Sequence, residues 1–185
     1  MNIQKDIADL NRALESVKKE EKVLQQIMDA VVTTLKKGGK IITCGNGGSA
    51  ADAEHLAAEL IGRFLKERKS LPAISLCNGA SLTTCLGNDY GFENLFARQI
   101  DGLGNPEDLL ICFSTSGNSP NVMEAIRTAK KKSIKTVAFL GKDGGKTKGM
   151  ADYQIIVSDV TTPRIQEAHT FLMHLIAQAI DDAYC

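Results

Sequence analysis

Hydrophobic positions in the first 37 residues recur with a helical period. Ile3, Ile7, Leu10, Leu14 and Val17 follow one another at spacings of four and three, with Glu and Lys between them. A second stripe runs through Val23, Leu24, Ile27, Met28, Val31, Val32 and Leu35, and "KKGGK" closes it as a C-terminal stop. Two helices are predicted, and neither is stable alone with its apolar stripe open to water. The cover is either the protein's own sheet or a second subunit. A leading helical arm on one small domain favours self-association.

From residue 38 the pattern changes to short apolar runs alternating with helical ones. "KIITC" at 40–44, "PAISLC" at 72–77, "DLLICF" at 108–113, "IKTVAFL" at 134–140 and "YQIIVS" at 153–158 read as strands. Helices are predicted over 49–67, 119–132 and 163–183, with a broken helix in "NGASLTTCLGNDYGFENLFARQI". Ser119 as N-cap and Pro120 at the first helical position mark one helix start. Near-continuous apolar strands alternating with helices imply a mainly parallel sheet covered on both faces, an α/β fold. Without repeats or linkers, residues 1–185 read as a single domain, with 1–37 as the arm and 38–185 as the α/β core.

Composition narrows the function classes. The 22 basic and 22 acidic residues cancel, which disfavours a nucleic-acid partner. The 43% hydrophobic and 24% charged content is that of a globular chain. The cysteines at 44, 77, 85, 112 and 185 have no paired metal spacing and suggest thiols in a reducing compartment. The charged N-terminus does not resemble a signal peptide, and no apolar run is long enough for a membrane span. A cytoplasmic protein with no membrane partner is expected.

In such sheets ligands bind beyond the carboxyl ends of the strands, where the strand order reverses. "GNGGSA", "GNDYG" and "STSGNS" all follow predicted strands. "GNGGSA" satisfies a dinucleotide-binding pattern, but strand two ends at Cys77 and Asn78 where an acidic ribose partner belongs. The chain is also short for two mononucleotide halves, so hydride transfer is set aside. Gly45, Gly47 and Gly48 permit a tight turn, with Ser49 expected to cap the next helix. In "STSGNS", Ser114, Thr115, Ser116 and Ser119 surround Gly117 at a helix mouth, an anion site that needs no lysine. Phosphate is the expected ligand there. No Walker lysine follows either loop.

His55 and Glu59 stand four apart, on one helical face, and can present a nitrogen and a carboxylate oxygen to one metal or substrate. The other histidines, His169 and His174, share the last helix with Gln166. Relative to Gln166 they lie roughly 60° to one side and roughly 80° to the other. Spacing leaves the choice between them open.

"CGNGGSAADAEHLAAELIGRF", "LGNDYGFENLF", "STSGNSPNV", "GKDGGK" and "RIQEAHTFLMHLI", in this order, resemble the phosphoheptose isomerases of the sugar isomerase (SIS) superfamily. The resemblance covers essentially the whole chain. It implies a flavodoxin-like, three-layer α/β/α sandwich with a five-stranded parallel sheet, assembled as a homotetramer with active sites near subunit interfaces. It implies one zinc ion per subunit held by His55, Glu59, Gln166 and His174, leaving His169 a structural or supporting role. It also implies that Ser114, Thr115, Ser116 and Ser119 hold the phosphate of a seven-carbon sugar. Asn46, Gly47, Ser49, Asp89 and Gln166 match positions around the sugar chain. Some members carry an aspartate before the "RIQE" arginine, where this chain has Pro163, so that contact is absent here.

The implied reaction converts sedoheptulose 7-phosphate to D-glycero-D-manno-heptose 7-phosphate, the first step toward nucleotide-activated heptoses. Moving a carbonyl between C1 and C2 requires a base that removes a carbon-bound proton and returns it through an enediol. Glu59 is the candidate base and His174 its partner at the oxygens, with zinc as Lewis acid. Two alternatives stand beside this reading. One is a non-catalytic relative of the family, a tetramer that docks a replication initiator and lacks the glutamate and last-helix histidine that this chain retains. The other is an SIS isomerase for a different phosphosugar.

Overall fold

The computed structural model describes residues 2–158 and 161–185. Five strands form one sheet: β1 (Ile41–Gly45), β2 (Ala73–Ser75), β3 (Leu109–Ser114), β4 (Lys135–Gly141) and β5 (Tyr153–Val157). All pair in parallel, in the order β2-β1-β3-β4-β5, with Cys44 opposite Cys112 and Phe113 opposite Phe139. The order reverses between β1 and β3. A crevice therefore opens there, at the carboxyl ends of the two strands. β1 and β3 are buried along their whole lengths, which is why their sequences are apolar without alternation.

One face of the sheet is covered by α1 (Ile3–Lys18), α2 (Glu21–Lys36), α3 (Gly48–Ile61) and α7 (Thr162–Tyr184). The other is covered by α4 (Ala80–Tyr90), α5 (Leu95–Leu103) and α6 (Pro120–Lys131). The predicted broken helix is thus α4, a 3-10 turn over Phe92–Asn94 and α5, interrupted at Gly91, whose φ is 82°. The three-layer sandwich expected from the sequence is present.

The two N-terminal stripes largely cover the protein's own sheet. Ala13, Val17, Leu24, Ile27, Val31 and Leu35 are buried in one core with β3, β4 and α7. Ile3 and Ile7, at the start of the first stripe, remain 59% and 55% exposed.

Two helix boundaries differ from expectation. α3 begins at Gly48, with Gly47 at the N-cap, so Ser49 is a buried residue inside the first turn rather than the cap. Gly47 takes that place because its φ of 57° turns the chain out of β1 at an angle a side chain resists. α3 also ends at Ile61, short of the predicted residue 67, because tertiary contacts claim the next segment. The Arg68 guanidinium donates to the carbonyls of Glu59, Leu60, Gly62 and Lys69, and to the Asp181 carboxylate at 3.0 Å. The Leu65 and Lys66 N–H groups donate to the other Asp181 oxygen, each at 2.8 Å. Burial pushes the Asp181 carboxyl up, but these donors outweigh it and hold it below the ordinary carboxylate range. A fully bonded buried ion pair thereby gives residues 62–70 a single path across the end of α7.

Candidate active site

α3 and α7 both start at the carboxyl edge of the sheet and pack side by side in the same direction. Residues 48, 52, 55 and 59 form one stripe of α3, and residues 166, 170 and 174 form one stripe of α7, by helical period. The contacts between the stripes run in register. At the top, the Gln166 amide lies directly on Gly48, where an added Cβ would stand 2.2 Å from its Nε2. One turn down, the Thr170 hydroxyl donates to Asp52 Oδ1 at 2.7 Å. Below that, His174 meets His55 edge-on, with ring centroids 5.1 Å apart and planes at 85°. His55 Nε2 is 2.9 Å from Glu59 Oε1.

His55, Glu59 and His174 each offer one ligand atom, and these atoms lie within 4.8 Å of one another. Two imidazole nitrogens and a carboxylate oxygen in that volume suit a divalent ion such as zinc. Gln166 stands on the same seam, against Gly48. Behind the cluster the Asp52 side chain is buried, and its Oδ2 has no hydrogen-bond partner among the described residues. Burial raises the Asp52 carboxyl above its ordinary value, while the Thr170 hydroxyl and the imidazoles of His55 and His174 pull it down. A buried carboxyl with a bare oxygen is costly to charge on its own, and a cation at the neighbouring cluster would lower that cost.

His169 occupies the opposite side of α7. It is fully buried between Phe113 and Phe139 and donates its Nε2–H to the Leu140 carbonyl at 3.1 Å. Burial lowers its pKa to about 4, so the ring is neutral at physiological pH. His174, by contrast, is covered on one side by the Phe64 ring, stacked at 5.3 Å and 20°. Phe64 belongs to the segment that Arg68 and Asp181 pin.

Across the crevice, the loop between β3 and α6 turns at Gly117, whose φ is 61°. Ser114 is buried; its Oγ accepts from the Gly117 N–H and lies 3.2 Å from Ser119 Oγ. Ser116 Oγ accepts from the Asn118 N–H at 3.1 Å. Ser119 sits at the N-cap of α6 as expected, but its hydroxyl makes no capping bond. The nearby Val122 N–H is taken instead by Asn121 Oδ1 at 3.0 Å. Thr115, Ser116 and Ser119 are partly accessible and line the loop with hydroxyls.

Asn46 and Gly47 stand in the turn from β1 into α3, on the β1 side of the crevice, and Ser49 is buried in the first turn of α3. Asp89 is exposed near the end of α4, where it accepts from Cys85 and Asn88 of its own helix. Among the described residues no hydrogen bond joins Asp89 to the other candidates. Cys44 and Cys77, near the crevice, are not nucleophiles at neutral pH. Contact with Cys112, together with burial, raises Cys44 well above its ordinary value, and burial pushes Cys77 up to about 11.

The sequence pattern of the SIS domain matches residues 7–141. A phosphoheptose isomerase of Nitratiruptor sp. is 50% identical over 178 residues, covering 92% of this chain and 95% of that one. The chain belongs to the SIS domain family, among the phosphoheptose isomerases. A second family member, from Helicobacter pylori strain P12, is 49% identical and covers 93% of this chain and 88% of its own. The solved phosphoheptose isomerase of Neisseria gonorrhoeae superposes with a TM-score of 0.91 at 39% identity, covering 97% of each chain. That of Francisella tularensis also gives 0.91, at 33% identity, with 98% and 100% covered. The domain pattern ends with β4, before α7, which carries Gln166 and His174. Among the described residues no helix is long and apolar enough to cross a membrane.

Several residues at the site escape a reading of spacing. Asn121 lies inside the "STSGNSPNV" motif, and Asp52 lies one turn before His55, so both carried a positional signal. Phe64 closes the "CGNGGSAADAEHLAAELIGRF" motif, but nothing in its spacing pointed to His174; Arg68 and Asp181 carried no signal, because they act through a loop path that only the fold defines.

Proposed function

We propose that this phosphoheptose isomerase converts sedoheptulose 7-phosphate to D-glycero-D-manno-heptose 7-phosphate through an enediol. The observation that carries the reading is the His55–Glu59–His174 cluster on the seam between α3 and α7, where α3 leaves β1 across the crevice from the hydroxyl-lined loop 114–119. The hydroxyls of Ser114, Thr115, Ser116 and Ser119, with the α6 N-terminus, hold the phosphate. Asn46, Gly47, Ser49, Asp89 and Gln166 meet the sugar chain. Glu59 removes the proton from the carbon beside the carbonyl and returns it to its neighbour. His174, kept in place by Phe64 and His55, moves the proton between the two oxygens.

His55, Glu59 and His174 offer a donor set that suits one zinc ion per subunit, and the family resemblance supports Gln166 as the fourth ligand. Zinc, when bound, supplies Lewis-acid polarisation of the carbonyl. The exposed apolar side chains Ile3, Ile7, Leu65 and Phe171 support assembly as a homotetramer, with the N-terminal helices at the contacts. Five free thiols and a phosphorylated substrate support a cytoplasmic location.

Incubation with sedoheptulose 7-phosphate should yield the aldose, and Glu59→Gln should abolish turnover while leaving the fold and assembly unchanged. Substantial activity in that variant rules Glu59 out as the base. A wild-type protein inert toward this sugar but active on another phosphosugar would reassign the substrate. One inert toward all of them, yet retaining a protein partner, would favour the adaptor reading.

A further inference from the structure

The crevice between β1 and β3 is bridged at one place by a pair of amides. Asn46 Nδ2 donates to Asn121 Oδ1 at 2.8 Å, and Asn121 Nδ2 donates to Asn46 Oδ1 at 2.8 Å. Asn46 belongs to the turn after β1, and Asn121 to the first turn of α6. The pair therefore ties the glycine loop to the helix that carries the hydroxyl-rich loop.

The orientation of each amide follows from a backbone group. The Val122 N–H can only donate, and its partner at 3.0 Å is Asn121 Oδ1. That contact fixes which end of the Asn121 amide is oxygen. Asn121 Nδ2 must then be the donor to Asn46, so the atom of Asn46 that it meets must be Oδ1. The Asn46 oxygen is thus engaged, and one of its two Nδ2 hydrogens is used. The second Nδ2 hydrogen has no partner among the described residues. Asn121 is fully buried, whereas Asn46 is partly open.

We propose that Asn121 is a positioning residue that makes Asn46 a fixed hydrogen-bond donor, offering one N–H to an oxygen of the sugar chain. Without Asn121 the Asn46 amide can rotate by half a turn and present its oxygen instead. The hydrogen bond is then lost in part of the population and replaced by lone-pair repulsion in the rest. The inference rests on the reading that Asn46 faces the substrate, and it adds the residue that decides which end of Asn46 does so.

A double-mutant cycle tests it, with isomerisation of sedoheptulose 7-phosphate as the assay. Asn46→Ala and Asn121→Ala should each raise KM about tenfold with kcat nearly unchanged, as expected for one uniform hydrogen bond. The double variant should be no worse than Asn46→Ala, because Asn121 acts through Asn46. Asn121→Ser guards against a folding defect: its hydroxyl can still accept from the Val122 N–H but cannot span to Asn46. It should show the same KM increase with a wild-type unfolding transition. Additive losses in the double variant overturn the inference, as does an Asn121→Ser enzyme with wild-type KM. A wild-type protein with no activity on the sugar overturns the functional reading itself, and is told apart because the failure is then in the parent protein.

Discussion

His169 and His174 have equal standing by helical spacing, and their environments make opposite predictions. His169 is sealed between Phe113 and Phe139 with its pKa lowered to about 4, whereas an unfolded-state histidine titrates near 6.5. As pH falls through 6.5 the unfolded chain takes up a proton that the native chain refuses until about pH 4. Stability is therefore complete above the unfolded value and declines as pH falls toward the native one. At about 1.4 kcal/mol per pH unit the full window is worth about 3 kcal/mol, and about 2.5 kcal/mol of it is gone by pH 4.5. His169→Gln keeps a donor for the Leu140 carbonyl but does not titrate. Urea unfolding at fixed protein concentration, at pH 7 and pH 4.5, would compare the two metal-free proteins. Carboxylates and the other histidines contribute equally to both, so wild type should lose about 2.5 kcal/mol more than the variant. The variant should also keep isomerase activity at neutral pH, whereas His174→Gln should lose it. Parallel pH dependences, or loss of turnover in a folded His169→Gln protein, refute the assignment.

Three other perturbations probe the seam and the surface. Gly48→Ala should weaken zinc binding while leaving the fold intact, because its Cβ displaces the flexible end of Gln166; competition with a metal-sensitive dye reads this, and unchanged affinity would remove Gln166 from the ligand set. Arg68→Met should lower stability by about 3 kcal/mol in urea titration, since it leaves the Asp181 carboxylate buried without its cation, and a loss below about 1 kcal/mol would contradict the clamp. Leu65→Lys combined with Phe171→Lys should shift the assembly to smaller species in sedimentation, and an unchanged size would exclude that face from the contacts.

Much of the architecture follows from residue pattern. β1, β3 and β4 could be found because strands buried on both faces must be apolar throughout, and α6 because Pro120 suits only a first helical turn. His55 with Glu59 could be paired because four residues is one helical turn. The hydroxyls of loop 114–119 stood out because they crowd around a glycine at a helix mouth. These are local relations, and local periodicity carries them.

What the tertiary structure decided is everything that depends on how one helix is turned against another. The residues alone leave His169 and His174 about equally far from Gln166, and the family resemblance favours His174. In the fold the rotation of α7 explains the difference: His169 falls on β3 and β4, in the core, and His174 falls on α3, beside His55. Packing likewise moved the start of α3 to Gly48, ended it at Ile61, and buried most of the N-terminal stripe under the protein's own sheet. The Asn46–Asn121 bridge spans 75 residues of chain, and the Arg68–Asp181 pair spans 113. Periodicity reports which face of a helix is apolar, not which neighbour that face will meet. The active site lies in those meetings.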